Sequence, residues 1–97
     1  MYLKVHRIPG AGEVVAVCDA ELLNVTLMRG DVKVCITGGF YGTERVDEEE
    51  VRKALCDAGN ANIIGKRAVA LAIAMGLVTE ADCIMIGDVP HTQIFRI

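Results

Sequence analysis

Ninety-seven residues make room for one domain, and a chain of that length buries roughly 60 to 70% of its unfolded surface, enough for one core without metal or disulfide staples. A net charge of −3 argues against unspecific binding to nucleic acid or to an anionic membrane. With 53% hydrophobic and only 4% aromatic residues the core must be aliphatic, and so apolar a small domain is expected to share surface with a second copy, as a homo-oligomeric dimer.

Val and Ile outnumber Leu, which favours a sheet. Met1 to Arg7 hold no apolar run before a small-residue cleavage site, so they read as mature sequence and point to the cytoplasm. Leu3 and Val5 alternate with Lys4 and His6 and are followed by Pro9-Gly10-Ala11-Gly12, which predicts a half-buried strand over 2–8 and a turn. Residues 13–17 form its hairpin partner. Asp19 is placed to cap a short helical turn over Ala20 to Leu23. A second hairpin follows, Val25 to Met28 and Val32 to Thr37, with Gly30 supplying a positive φ in the turn. Arg29-Gly30-Asp31 resembles an adhesion motif, but in a cytoplasmic chain it reads as that turn.

Gly38-Gly39-Phe40-Tyr41-Gly42 reads as a loop in which glycines take positive φ and Phe40 or Tyr41 anchors the chain to the core. It lacks the Walker pattern and precedes four acids, Asp47 to Glu50, so a phosphate loop is disfavoured. Asp47 and Glu50 form a capping box, and Val51, Ala54, Leu55 and Ala58 share one face of a helix that ends at Gly59. A second helix is expected from about Ile64 to Met75, capped by Asn62 and closed by a Schellman turn at Gly76-Leu77. Its apolar run is too short to span a membrane, which needs about 20 residues. Residues 82–86 and 92–97 read as strands separated by Gly87-Asp88-Val89-Pro90.

Lys66 and Arg67 stand in the first turn of the second helix, where the dipole alone disfavours cations. Either an anion sits there, a phosphate, nucleotide or carboxylate, or the two residues pair with the acids of the first helix. His91, held behind Pro90, is a hydrogen-bonded structural residue, a partner for Cys18 in catalysis, or a metal ligand together with Asp19, Glu21 and His6. Cys18, Cys35, Cys56 and Cys83 contain no Cys-x-x-Cys pair and read as reduced, buried thiols.

Cys18-Asp19-Ala20-Glu21-Leu22-Leu23, Phe40-Tyr41-Gly42, Asn62-Ile63-Ile64-Gly65 and Val89-Pro90-His91-Thr92-Gln93 together resemble the archaeal family catalogued as domain of unknown function 424. The resemblance spans nearly the whole chain and rests on the order and spacing of these short motifs. It implies a small archaeal cytoplasmic protein and carries no activity.

The elements describe one α+β domain over residues 1–97, a mostly antiparallel sheet of about five or six strands with two central helices on one face. The expected function is a non-enzymatic binding module with a surface of Phe40, Tyr41, Asn62, Gly65, Lys66, Arg67, His91 and Gln93. Its partner is a protein or ribonucleoprotein, with an anionic ligand at the second helix start. The alternative is a small enzyme or metal-binding protein using Cys18 or His91 with Asp19 and Glu21. No motif calls for a cofactor.

Overall fold

The computed structural model describes residues 1–10 and 12–96. Strands β1 (Tyr2–Ile8) and β2 (Gly12–Cys18) form the expected antiparallel hairpin, with Tyr2 opposite Cys18 and Ile8 opposite Gly12. The next strand of the main sheet was not expected as a strand. β5 (Asn60–Ile64) lies parallel to β2, with Ala16 opposite Asn62, and antiparallel to β7 (Val89–Phe95), while the short β6 (Ile84–Ile86) closes the edge. The order is β1-β2-β5-β7-β6, a mixed sheet of five strands in which one neighbouring pair is parallel. Asn60 and Asn62 disfavour a strand locally, but pairing on both sides satisfies the backbone and overrides that preference. Asn62 is therefore not the cap of a helix. Val89 and Pro90 likewise belong to β7, and the turn shrinks to Gly87-Asp88.

β3 (Thr26–Arg29) and β4 (Val32–Cys35) form a separate two-stranded hairpin turned at Gly30, with φ of 60°. The glycine-rich segment after it is not a loop throughout: α1 (Gly38–Tyr41) is a single helical turn, and only Gly42 takes a positive φ, 88°. Helix α2 (Glu48–Cys56) starts on the expected Asp47 cap, whose carboxylate accepts from the Glu50 amide at 2.9 Å, but the reciprocal Glu50 bond of a capping box is not made among the described residues and the helix ends before Gly59. Helix α3 (Lys66–Ala74) begins two residues later than the sequence suggests and ends in the predicted Schellman turn. There the Gly76 amide donates to the Ile73 carbonyl at 2.9 Å and the Leu77 amide to that of Ala72 at 3.0 Å.

Side chains alternate across the central sheet, and the two faces have different covers. Val15, Val17, Ala61, Ile63 and Ile94 point to one side, where α2 contributes Val51 and Leu55 and α3 contributes Ala68, Val69, Leu71 and Ala72. Both central helices thus pack on one face, as expected. Ala16, Cys18, Ile64 and Ile86 point to the other, with Ile36, Tyr41 and the β3–β4 hairpin over them.

The sheet is tied to α3 by Asp19, at the end of β2. This residue is 2% exposed, and its carboxylate accepts from the Arg67 amide at 3.0 Å and the Ala68 amide at 2.8 Å. It caps α3 from the end of β2, rather than the 3-10 turn Ala20–Leu22 that follows it, which receives no side-chain cap. Gly65 makes room for this contact: its φ is 116°, and a Cβ there would collide with the Asp19 carboxyl group. The sequence carries no local sign of the pairing, because donor and acceptor lie 48 residues apart.

Two substitutions test this packing by denaturant unfolding. Leu71→Ala removes a buried side chain from under the sheet and is expected to cost about 2 to 5 kcal/mol. Gly65→Ala adds backbone strain and displaces the Asp19 carboxylate, so it is expected to cost at least about 2 kcal/mol. An unchanged midpoint in either variant contradicts the assignment.

Candidate functional site

The candidate site lies on the face of the sheet away from α2 and α3. It is assembled by α1, which rests on β1 so closely that a Cβ on Gly42 would come within 2.8 Å of the Leu3 carbonyl oxygen. Lys4 Nζ donates to the Gly39 carbonyl at 3.0 Å, and His6 Nε2 donates to that of Phe40 at 2.7 Å. The His6 ring stacks on Phe40 at 4.9 Å, and Phe40 meets Tyr41 edge to face at 4.8 Å. Of the two aromatics, buried Tyr41 is the anchor; Phe40 stays exposed against His6.

So held, Tyr41 Oη donates to Asn62 Oδ1 at 2.7 Å, and His91 Nε2 donates to the same oxygen at 3.2 Å. Burial pushes the Tyr41 hydroxyl up to about 12, so it remains a donor at any physiological pH. Burial also lowers His91 below its ordinary 6.5, which keeps the imidazole neutral at pH 7. With Nε2 carrying the proton, Nδ1 of His91 is an acceptor. Asn62, its carbonyl occupied twice, presents its amide N–H₂ as donors. Among the described residues no buried side-chain nitrogen or oxygen lacks a partner, and neither Nδ1 nor Nδ2 bonds to the protein, so both are open to solvent or ligand.

These three residues line one end of a cleft of about 480 Å³ between the hairpin and the sheet. Its walls are aliphatic, Val32 and Val34 from the hairpin and Ile64, Ile84 and Ile86 from the sheet. Arg29, at the turn end of the hairpin, stands on the rim and makes no ion pair among the described residues. Arg29 carries no sequence signal beyond its place beside a turn, and the strand alternation of Ile84 and Ile86 does not reveal which layer they face.

The eight residues expected to form one surface are divided by the sheet. Tyr41, Asn62 and His91 converge in the cleft, and Gln93, opposite Asn62 on β7, shares their face but is exposed outside the lining. Phe40 adjoins Tyr41 but turns to His6. Gly65 lies beneath the Asp19 carboxylate. Lys66 and Arg67 are exposed at the start of α3, on the helical side, and Lys66 borders a separate groove with Val69, Ala70 and Ile73. The ion pairs of the described residues are Arg7 with Glu13 and Arg52 with Glu48, so the expected link from Lys66 or Arg67 to the first helix is not among them. The negative group at this helix start is Asp19 itself, which resolves the frustration of two cations beside a positive dipole end.

The groups of the enzymatic alternative do not combine. Cys18 is fully buried, and its thiol is pushed up to about 11 by burial first and by the neighbouring Asp19 charge second, so it holds no appreciable thiolate at pH 7. Cys18 and His91 share a face but flank Ile64 on the intervening strand, about 10 Å apart by strand spacing. Asp19 is engaged by two amides and Glu21 is exposed. Among the described residues no three of His, Cys, Asp and Glu gather to hold a metal. The thiols are free, but burial as expected holds only for Cys18; Cys35 and Cys56 are exposed.

The His91 shift gives a pH dependence with a definite sign. Its folded value lies below the unfolded one, so the unfolded chain binds more protons in that interval, and stability is complete above about 6.5 and falls as pH drops through and below it. Unfolding midpoints of wild type and His91→Gln, compared between pH 7 and pH 5, are expected to show a smaller acid loss in the variant. Parallel curves would contradict the burial of a neutral imidazole.

Comparison with known proteins adds the family. A crystal structure of an uncharacterised conserved protein from Methanopyrus kandleri superposes with a TM-score of 0.76 at 27% identity, covering 99% of this chain and 92% of that one. No curated protein matches. The model of a family described as protein of unknown function (DUF424) matches residues 6–97. The chain accordingly belongs to the DUF424 family, as its motifs suggested.

Proposed function

We propose that this protein is a non-enzymatic binding module whose ligand site is the cleft between the β3–β4 hairpin and the sheet. The observation that carries this reading is the Tyr41–Asn62–His91 network, which fixes one donor and one acceptor at the end of an aliphatic cleft of about 480 Å³. That volume falls within the range of small-molecule sites, and apolar walls with a few oriented polar groups are their usual make-up. A second hollow of about 380 Å³, near Val5, Asn60 and Phe95, has no comparable network. The unreactive state of Cys18 favours binding over nucleophilic catalysis.

Small fragments test the site. Aminopyridine, pyridone and benzamide at millimolar concentration are expected to shift the Asn62 side-chain amide and the backbone amides of Ile64 and His91 in NMR spectra. Val32→Trp, a substitution at an exposed hairpin position that narrows the cleft, is expected to abolish those shifts. Shifts that map elsewhere, or that survive in Val32→Trp, would remove the cleft as the site.

The module is further proposed to act as a cytoplasmic dimer, supported by Phe95 at the end of β7, which is 77% exposed. A symmetric interface there is expected to bury on the order of 1,000 Å² or more. Sedimentation is expected to give a dimer for wild type and a monomer for Phe95→Glu. A monomeric wild type at all concentrations contradicts the dimer.

A further inference from the structure

The cleft is lined by a single charge. Of its described lining residues Arg29 alone is ionic; it is exposed on the rim, meets no carboxylate within ion-pair distance among the described residues, and shares the lining with no Asp, Glu or Lys. At the other end Tyr41 and His91 are neutral at pH 7 and both donate to the Asn62 oxygen, so that end carries no charge. Between the two ends the walls leave apolar surface in water that the fold does not cover. Val32 is 62% exposed, Ile84 is 42% exposed, and Val34 is half-buried.

These features restrict the ligand by charge and by polarity. A cation is repelled by the one charge present and finds no carboxylate in the lining. A polyanion brings charges beyond the first that no group of the cleft answers. A strongly polar neutral molecule exchanges its water for aliphatic wall and loses hydrogen bonds without replacement. What remains is an apolar body that covers Val32 and Ile84 and carries one negative group for the guanidinium fork, which a carboxylate meets with two parallel N–H···O bonds.

We infer that the cleft binds an apolar monocarboxylate, its hydrocarbon part against Val32, Val34 and Ile84 and its carboxylate on Arg29. This rests on the cleft being the binding site. The same chemistry is presented by a free aliphatic acid and by the C-terminal residue of a peptide that ends in an apolar side chain.

Calorimetry and NMR on the full chain test the assignment with hexanoate, hexanamide and hexylammonium, a series that keeps the hydrocarbon and changes the charge. Hexanoate is expected to bind about three- to tenfold tighter than hexanamide, and hexylammonium weakest, with shifts at the backbone amides of Arg29, Val34 and Ile84. Acetate, which has the charge without the chain, is expected to bind about tenfold or more weakly than hexanoate. The advantage of acid over amide is expected to shrink as salt rises, because Arg29 is exposed. Arg29→Ala is expected to make acid and amide bind alike without weakening the amide, and Arg29→Lys to keep part of the preference. N-acetyl-glycyl-leucine separates the sources: competing at least as well as hexanoate assigns a peptide end, competing less well assigns a free acid, and either keeps the inference. If the heteroaromatic fragments occupy the cleft but hexanoate binds no tighter than hexanamide, or Arg29→Ala leaves the preference intact, the carboxylate assignment is overturned and the binding module stands. If neither the fragments nor the acids shift the cleft residues, both fall.

Discussion

The carboxylate of Asp19 on the first amides of α3 is the contact on which the other elements depend. A helix start beneath a sheet leaves backbone donors that need an acceptor, and α3, opening on Lys66 and Arg67, brings none of its own. Asp19 arrives from the end of β2, which holds it in register because the Asp19 amide donates to the Ile64 carbonyl at 3.2 Å. One residue therefore aligns β2 with β5, sets the turn at Gly65 and starts α3. The requirement for glycine at 65 follows from the space the carboxylate occupies. The charge also has a local consequence, since it adds to burial in keeping Cys18 protonated.

With β2 and β5 aligned, the pleat decides where chemistry can appear. The helical face is filled mainly by aliphatic residues, and its buried polar side chains, Asp19 and Thr92, are both engaged, Asp19 by α3 amides and Thr92 by the Asp82 carbonyl. The opposite face carries Asn62 in the middle strand, next to His91 and beneath Tyr41, and only a small hairpin and one helical turn cover it. That partial cover leaves a cleft. A central strand with an asparagine is unfavourable for stability alone unless its amide is bonded, and here two donors share its oxygen.

Features set by neighbours in the chain were readable from the sequence. The β1–β2 hairpin, the turn at Gly30, the Asp47 cap and the Schellman ending at Gly76 each depend on residues within a few positions of one another. β5 was not readable, because its five residues include two asparagines and lie between Gly59 and Gly65, so local preference points to a turn. The Asp19 cap spans 48 residues and has no local signature. For the site, Tyr41, Asn62 and His91 stand out in the sequence only singly, as an aromatic, a candidate cap and a histidine after a proline. Their meeting is a product of strand register, and Arg29 joins them only because the hairpin folds over the sheet.

The most direct test of this account is amide hydrogen exchange in Asp19→Asn, which keeps one acceptor oxygen, and in Asp19→Ala, which keeps none. The account predicts that exchange at Arg67 and Ala68 accelerates by about tenfold or more in Asp19→Ala and by less in Asp19→Asn, with Val69 following and α2 little affected. Protection at Arg67 and Ala68 equal to wild type in both variants would contradict the role given to Asp19.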